Sequence, residues 1–396
     1  YGRETLLAAI DHIFDETEQK CRNVVSQLPD GVYEASASID DDGVLKGEEV
    51  PIHVKVTVKG GAMTIDLSGC SPERKAGINS RTYAGARVAY KALTGPLDPV
   101  NEGSFRALKV IIPEGNIMMA RFPAPMAGWS GIVPTVVDAI VMALGKAMPD
   151  RVPAGHHALL GGAVVFFGTH PETKRRFVVQ SIEGGGWGGR PFEDGESGTV
   201  SVCQGDVRNG SIEGIELKCP VVVQSRALRI DSCGAGKFRG GLGIDMQVKN
   251  LVEGKWNFEM PRRSKRPPWG IEGGTPGEPG GYLLKRPGEK SFTMMGGFHI
   301  PVVIGSEAIV RTGGGGGWGD PFDRPAEVVA NDVAEGLISA AAARKLYGVA
   351  VRGDMSLDEK ATQKLRTRVG SAKKKPAAGK AGARTPGARK AKRRSR

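Results

Sequence analysis

The residues with the most chemical promise sit in a short turn, Asp206-Val207-Arg208-Asn209, which follows a predicted strand and places a carboxylate, a guanidinium and an amide within four positions. An arginine fork can grip a substrate carboxylate through two parallel hydrogen bonds, and an asparagine adds a donor beside it. Asp206, Arg208 and Asn209 are therefore the candidate catalytic residues. The same residues also suit an Asx-type turn closed by a surface salt bridge.

Two glycine-rich segments form the other strong local feature. Gly184-Gly185-Gly186-Trp187-Gly188, followed by Gly189-Arg190-Pro191-Phe192, is echoed by Gly315-Gly316-Gly317-Trp318-Gly319, followed by Asp320-Pro321-Phe322. Without a Cβ, backbone N–H groups can approach an anion or a developing oxyanion closely. On that reading Gly184, Gly185, Gly186, Trp187, Gly315, Gly316, Gly317, Trp318 and Asp320 are candidate substrate-binding residues, joined by Arg239 of Arg239-Gly240-Gly241-Leu242-Gly243. The alternative is close-packed turns plugged by the two tryptophans. Two short copies do not make a repeat protein, but they suit equivalent turns on two related sheets. Arg266-Pro267-Pro268-Trp269-Gly270 has the same two readings, cleft lining or turn scaffold.

Several chemistries are excluded by spacing. Gly234-Ala235-Gly236-Lys237-Phe238 lacks the earlier Gly and the following Ser/Thr of a phosphate-binding loop, and neither G-x-S-x-G nor H-E-x-x-H occurs. His156 and His157 are adjacent and would point to opposite faces of a strand, which disfavours joint metal ligation. His170, in Gly168-Thr169-His170-Pro171, reads as part of a hairpin turn. The five cysteines (Cys21, Cys70, Cys203, Cys219, Cys233) form no C-x-x-C pair and suit reduced cytoplasmic thiols.

These residues must be positioned by a fold of class α+β, a glycine-rich mixture of largely antiparallel sheets with flanking amphipathic helices. Residues 4–28 repeat apolar side chains at helical spacing, from Leu6 and Ile10 to Val25 and Leu28, and Pro29-Asp30-Gly31 stops them. Ile52, Val54, Val56 and Val58 alternate with polar residues, and after Lys59-Gly60-Gly61 a second alternating run predicts a β-hairpin. Helices are expected over 81–93 and 132–148, a strand over 107–112, and mostly β structure from 158 to 312. Past Pro321 the pattern returns to helix, with Pro325 at one start and Ser339 as N-cap of a helix ending near Tyr347-Gly348. The expected divisions are 1–95, 96–324, 325–351, and 352–396 as linker plus disordered basic tail.

Charge is strongly segregated. The net +12 of the 396 residues comes almost wholly from residues 373–396, which hold eleven Lys/Arg and no acid, leaving 44 basic and 43 acidic side chains before them. A near-neutral body disfavours a dedicated nucleic-acid-binding protein, although the tail is suited to non-specific contact with polyanions. From Ser371 onward there is too little apolar surface to fold. The longest apolar stretches fall short of the ~20 residues of a membrane span, so no membrane partner is expected. The opening Tyr1-Gly2-Arg3-Glu4, with neither initiator Met nor signal pattern, reads as the start of a fragment of a cytoplasmic protein.

Taken in order, Leu28-Pro29-Asp30-Gly31-Val32-Tyr33, Pro149-Asp150-Arg151-Val152-Pro153-Ala154, the Trp187 segment, Gly234 to Gly243, Pro267-Pro268-Trp269-Gly270 and the Trp318 segment resemble the hydantoinase B/oxoprolinase family. The family also includes the C-terminal half of ATP-dependent oxoprolinases and is related to the large subunit of acetone-type carboxylases. The resemblance implies a B-type subunit that opens a hydantoin- or oxoproline-like cyclic amide. Its partner would be a hydantoinase A-type subunit supplying ATP and Mg, and the glycine segments would act as oxyanion or phosphate cradles. An acetone- or acetophenone-type carboxylase component is the alternative. The family's metal-holding stretch is expected upstream of Tyr1, so no metal ligand is assigned here. Relatives often carry an acid near Gln180, histidines near Ser201 and Cys203, and Asn/Glu near Trp129 and Gly131; these are absent. That departure implies either another substrate or a component that has lost part of the chemistry.

Overall fold

Alternation drives the first layer: Val50, Ile52, Val54 and Val56 on strand β2 (Val50–Lys59) are fully buried, while the residues between them face outward or half-outward. β2 pairs antiparallel with β1 (Gly31–Ile39) and with β3 (Ala62–Asp66), and β3 pairs in parallel with β4 (Leu108–Ile111), giving the order β1-β2-β3-β4. Helix α3 (Trp129–Leu144) lays Ile132, Val133, Val136, Val137, Ile140 and Leu144 into the core of this layer, and α2 (Ala84–Thr94) packs beside it. Each such side chain contributes about 1.5–3 kcal/mol when removed from water. Helix α1 (Arg3–Val25) buries only Cys21 and Val25, near its C-terminal end. The buried side chains of this core run from Cys21 to Val152, and Val202, Cys203, Trp269 and Ile271 pack against it from the region that follows.

The chain is described by a computed structural model over residues 1–157, 162–205, 207, 209–258 and 265–373. Its middle region holds two antiparallel sheets. The first has the order β12-β9-β5-β6, built from β5 (Gly162–Thr169), β6 (Arg176–Glu183), β9 (Gly254–Phe258) and β12 (Gly297–Val302). The second has the order β11-β10-β13-β8-β7, built from β7 (Val221–Leu228), β8 (Ile244–Asn250), β10 (Gly281–Lys285), β11 (Thr293–Met295) and β13 (Glu307–Arg311). They share one core that includes Phe166, Met246, Val248, Trp256, Phe258, Leu284 and Val310. Helix α4 (Ile212–Lys218) rests on β6 and β7.

Between these layers runs a bundle of glycine-rich backbone whose hydrogen bonds recur every third residue. Gly314 N and Gly317 N donate to Glu278 O and Thr275 O of one neighbouring segment. Gly313 O and Gly316 O accept from Gly186 N and Gly189 N of another. Gly186 O and Gly189 O in turn accept from His157 N and Ala154 N. A three-residue repeat is the turn of an extended polyproline-II-type helix, here with partners on several sides. The two glycine–tryptophan segments therefore lie side by side within one bundle, not as equivalent turns on two sheets. The need for glycine is steric: a Cβ on Gly315 would stand 1.8 Å from Trp187 O, and one on Gly186 would stand 2.0 Å from Gly241 O.

The chain then forms α5 (Ala326–Ala334), preceded by Pro325, and α6 (Ala340–Leu346), whose N-cap Ser339 accepts from Ala342 N. A further helix, α7 (Glu359–Lys373), occupies residues expected to be linker and includes Ser371. Local polar fixings explain it. Asp358 Oδ1 accepts from Ala361 N, Thr362 Oγ1 accepts from Ala350 N, and the Arg366 guanidinium donates to Arg324 O and Tyr347 O. The disorder expected farther along concerns residues 374–396, which lie outside the described residues. No helix among the described residues is long and apolar enough to cross a membrane.

Candidate functional site

Strand β6 ends in Glu183, whose carboxylate is fully buried and gripped by Arg226 of β7, with Arg226 Nε and Nη2 at 2.8 and 2.6 Å. Ser181 Oγ donates to the same carboxylate at 2.9 Å. Arg226 also donates through Nη1 to Gly210 O, tying the turn after Asn209 to the sheet. A pair of this kind, bidentate and mostly shielded from water, fixes geometry more surely than it adds stability. Sequence reasoning missed it; the signal was an acid closing a strand just before the first glycine run.

An open depression of about 270 Å³ is lined among others by Gln180, Ser181, Val207, Gly210, Ser211 and Lys218. Asn209 and Val207 are exposed beside it. Asp206 and Arg208 lie outside the described residues. Ser211 caps α4 by accepting from Gly214 N, which sets where the turn ends.

The first glycine–tryptophan segment is bonded to Thr199 and Val200, upstream of this turn. Trp187 Nε1 donates to Val200 O at 2.8 Å, Gly185 N donates to Thr199 O at 2.8 Å, and His157 Nε2 stands 3.0 Å from Thr199 O. A carbonyl only accepts, so His157 carries its proton on Nε2 in this contact. His156 stacks obliquely near Trp187, with ring centroids 6.2 Å apart. Next along the turn, Ser201 Oγ and Gln204 Oε1 are buried with no hydrogen-bond partner among the described residues. Two further indoles are also anchored: Trp269 Nε1 donates to Asp138 Oδ2 on α3 at 3.1 Å, and Trp318 Nε1 to Pro149 O at 3.1 Å. Each of these three tryptophans thus ties the bundle to another part of the chain.

The glycine N–H groups have backbone partners. Gly185 N, Gly186 N, Gly315 N, Gly316 N and Gly317 N donate to Thr199 O, Gly313 O, Gly241 O, Gly155 O and Thr275 O. The close approach expected of these glycines is present, but it is made to other backbone, while Gly184 O accepts from Thr312 Oγ1. Arg239 is buried against Asp332, at 3.4 Å, and Asp194, at 3.7 Å, in a network completed by Arg324. Asp320 caps a short 3-10 turn by accepting from Phe322 N. Trp318 pairs with Phe238.

These residues do not fit a nucleotide. In Gly234-Ala235-Gly236-Lys237 the N–H groups of Gly234, Ala235 and Lys237 donate to Gly315 O, Thr275 Oγ1 and Gly319 O, and Lys237 Nζ lies over the Phe238 ring. Among the described residues, no three His, Cys, Asp or Glu side chains gather as a metal site would need.

Residues 1–321 match the profile of the family described as Hydantoinase B/oxoprolinase. The chain belongs to the hydantoinase B/oxoprolinase family. It is 30% identical to the B-type component of a putative D-/L-hydantoinase from Pseudomonas sp. (strain NS671), over 92% of this chain and 63% of that protein. It is 29% identical to the beta component of the caprolactamase from Pseudomonas jessenii, over 91% of this chain and 64% of that one. The crystal structure of the ATP-dependent caprolactamase from Pseudomonas jessenii superposes with a TM-score of 0.81 at 28% identity, covering 93% of this chain and 65% of that chain. The nucleotide-free acetone carboxylase structure shares the fold at a TM-score of 0.76 and 19% identity, over 90% of this chain and 55% of that chain. The chain thus spans less than two thirds of the length of these family members.

Proposed function

We propose that this member of the hydantoinase B/oxoprolinase family acts in a B-type component that opens a cyclic amide at the expense of ATP. The nucleotide and its Mg would be held by an A-type partner. The likeness to caprolactamase, 28% identical over 93% of the chain, carries the reading. Chemistry supports it: an unstrained lactam is a poor electrophile, and phosphorylating its oxygen turns that oxygen into part of a leaving system. The glycine N–H groups are engaged with other backbone, so the groups offered to the activated ring are those of the Asp206–Asn209 turn. Arg208 would hold negative charge and Asn209 would donate to it, with Asp206 orienting them. The glycine bundle and Trp187 would keep that turn in place.

A second reading, an ATP-dependent carboxylase component, draws on 24% identity to the delta component of the acetophenone carboxylase from Aromatoleum aromaticum over 94% of this chain. It ranks below ring opening because the hydantoinase and caprolactamase components are closer in sequence.

The test is to co-purify the full-length protein with its A-type partner and to measure ADP release against a panel of cyclic amides and, separately, labelled bicarbonate with ketones. Amide-dependent ADP release with a ring-opened product supports the proposal, and Arg208→Ala should then lower turnover roughly 30- to 1,000-fold. Carbon fixation without ring opening would replace it by the carboxylase reading. Micromolar Mg-ATP binding by this chain alone, seen by calorimetry, would refute the division of roles.

A further inference from the structure

We propose that the outer face of the β12-β9-β5-β6 sheet binds an aromatic carboxylate in a depression walled by Phe167, Arg176, Val178, Lys255 and His299, a site separate from the Asn209 turn. Strand register brings these residues together. Phe167 of β5 lies opposite Val178 of β6 on one side and Lys255 of β9 on the other, and two residues along Thr169 lies opposite Arg176. Phe166, next to Phe167, is in the apolar core, so the alternation of a strand turns Phe167 and its partners to the other face. On that face Val178 is 68% exposed, and Arg176 and Lys255 are exposed as well. Together with His299 and Glu253 they line an open depression of about 420 Å³.

His299 is set into this wall by a local departure from regular β structure. Its φ is +55°, and among the described residues it is the one non-glycine residue with positive φ that lies inside a strand. The register of β12 against β9 shifts between Gly297 and Ile300, His299 N donates to Asn257 Oδ1 at 2.6 Å, and the imidazole lies near the Phe167 ring with centroids 5.7 Å apart. A bulge re-aims a side chain, and a left-handed conformation at a residue with a Cβ persists only where its surroundings impose it. Here both place an imidazole beside an exposed phenyl ring and two cations.

The chemistry of the walls selects the ligand. Phe167 and His299 offer ring faces and edges, which suit a planar aromatic group in offset or tilted contact. Arg176 and Lys255 have no ion-pair partner among the described residues, and Glu253 is the one acid among the residues that line the depression. The rim therefore holds surplus positive charge that a carboxylate can neutralise, and an imidazole N–H can add a hydrogen bond to it. Strand β6 also borders the depression beside the Asn209 turn, through residues 179–182, but the two depressions have no residue in common. Occupancy here can therefore be measured without turnover.

The experiment is a ligand-observed NMR titration of the full chain with naphthoate. Cyclohexanecarboxylate serves as the anion without the aromatic ring, and naphthalenemethanol as the ring without the charge. For an open depression and a probe of about 13 non-hydrogen atoms, the dissociation constant should be on the order of 1 mM. Both control compounds should bind at least about threefold more weakly. Changing Arg176→Gln together with Lys255→Gln should weaken naphthoate by at least about threefold, as expected for two exposed charge contacts. His299→Gly should weaken it by a similar factor while the chain stays folded, because glycine takes a positive φ without steric cost. The exposed Gln pair keeps the test decisive if His299→Gly does not fold. Each of these results would overturn the proposal: no naphthoate binding at about 10 mM, equal affinity for cyclohexanecarboxylate or for naphthalenemethanol, or unchanged naphthoate affinity in either folded variant. Tighter binding of a short oligothymidylate than of naphthoate would also overturn it, by making this face a platform for single-stranded nucleic acid.

Discussion

Glycine at position 315 illustrates how one residue type can serve packing where chemistry was expected. A Cβ there would meet Trp187 O at 1.8 Å and Trp187 C at 2.2 Å, both backbone atoms that cannot swing aside. Gly315→Ala should therefore cost more than about 3 kcal/mol, above the usual range for overpacking with side chains, and appear as lost soluble expression or a large fall in melting temperature. Gly353 has nothing within 4 Å of an added Cβ and no positive φ, so Gly353→Ala should stay within about 0.5 kcal/mol. Equal melting temperatures for the two would contradict the bundle as described. Thiol reactivity offers a second check at this scale. Burial pushes the thiols of Cys70, Cys203 and Cys219 up to about 12, and that of Cys233 to about 11. At pH 8 a pKa of about 12 leaves about one thiolate in ten thousand, against about a tenth at the ordinary 9.0. These four should thus label with a disulfide reagent far more slowly in the native protein than in urea, and raising the pH from about 8 to 9 should speed them without bringing them to the unfolded rate.

At the scale of elements, the buried ion network decides how α5 docks. Arg324 is 3% exposed and reaches Asp332 of α5 at 2.8 Å and Asp194 at 2.7 Å, while Arg239 shares both acids. Removing Arg324 leaves Asp332 buried with less compensating charge, so Arg324→Met should destabilise by about 3–5 kcal/mol in urea titration. A double change, Arg324→Met with Asp332→Leu, should recover part of the loss; if it is worse than the single change, the charge argument fails. The elements also show what was legible in the sequence. The β2–β3 hairpin and the Ser339 cap were readable because the one buries a regular face and the other satisfies a helix end through a local side chain, while α1 and α3 were readable from the spacing of their apolar residues, although α1 buries only Cys21 and Val25 and α3 is buried nearly all round. Strand β8 alternates just as cleanly, with Ile244, Met246 and Val248 buried, but it follows a glycine run that drew attention to turns. Helix α7 has a weakly apolar face and depends on contacts to Arg324 and Tyr347, which are distant in sequence. The candidate site was legible only in part: the Asn209 turn stood out, whereas the Glu183–Arg226 pair joins residues 43 apart. The same holds for the glycines, whose identity announced close approach but not what they approach.

Across the whole molecule, the glycine bundle makes the layers interdependent. Its segments hydrogen-bond to residues that belong to different cores: Trp269 reaches Asp138 of the first helical layer, Thr312 joins Gly184 to Ile244 of the second sheet, and Gly234 leads into the core that holds Val329 and Tyr347. A bundle strand that loses one neighbour exposes unpaired amides on that side, and a buried unpaired amide costs about 1–3 kcal/mol. Partial opening of any layer is thus penalised at several positions at once, even though the three apolar cores are separate clusters. The body should unfold in one cooperative step, despite a length at which chains commonly divide into independent domains. Calorimetry on the chain lacking residues 374–396 should give one transition whose van't Hoff and calorimetric enthalpies agree, and Gly315→Ala should lower that transition as a whole. Two resolved transitions, or a mutant that melts one layer while the others keep their midpoint, would mean that the layers are coupled by contiguity alone and that the bundle is a passive linker.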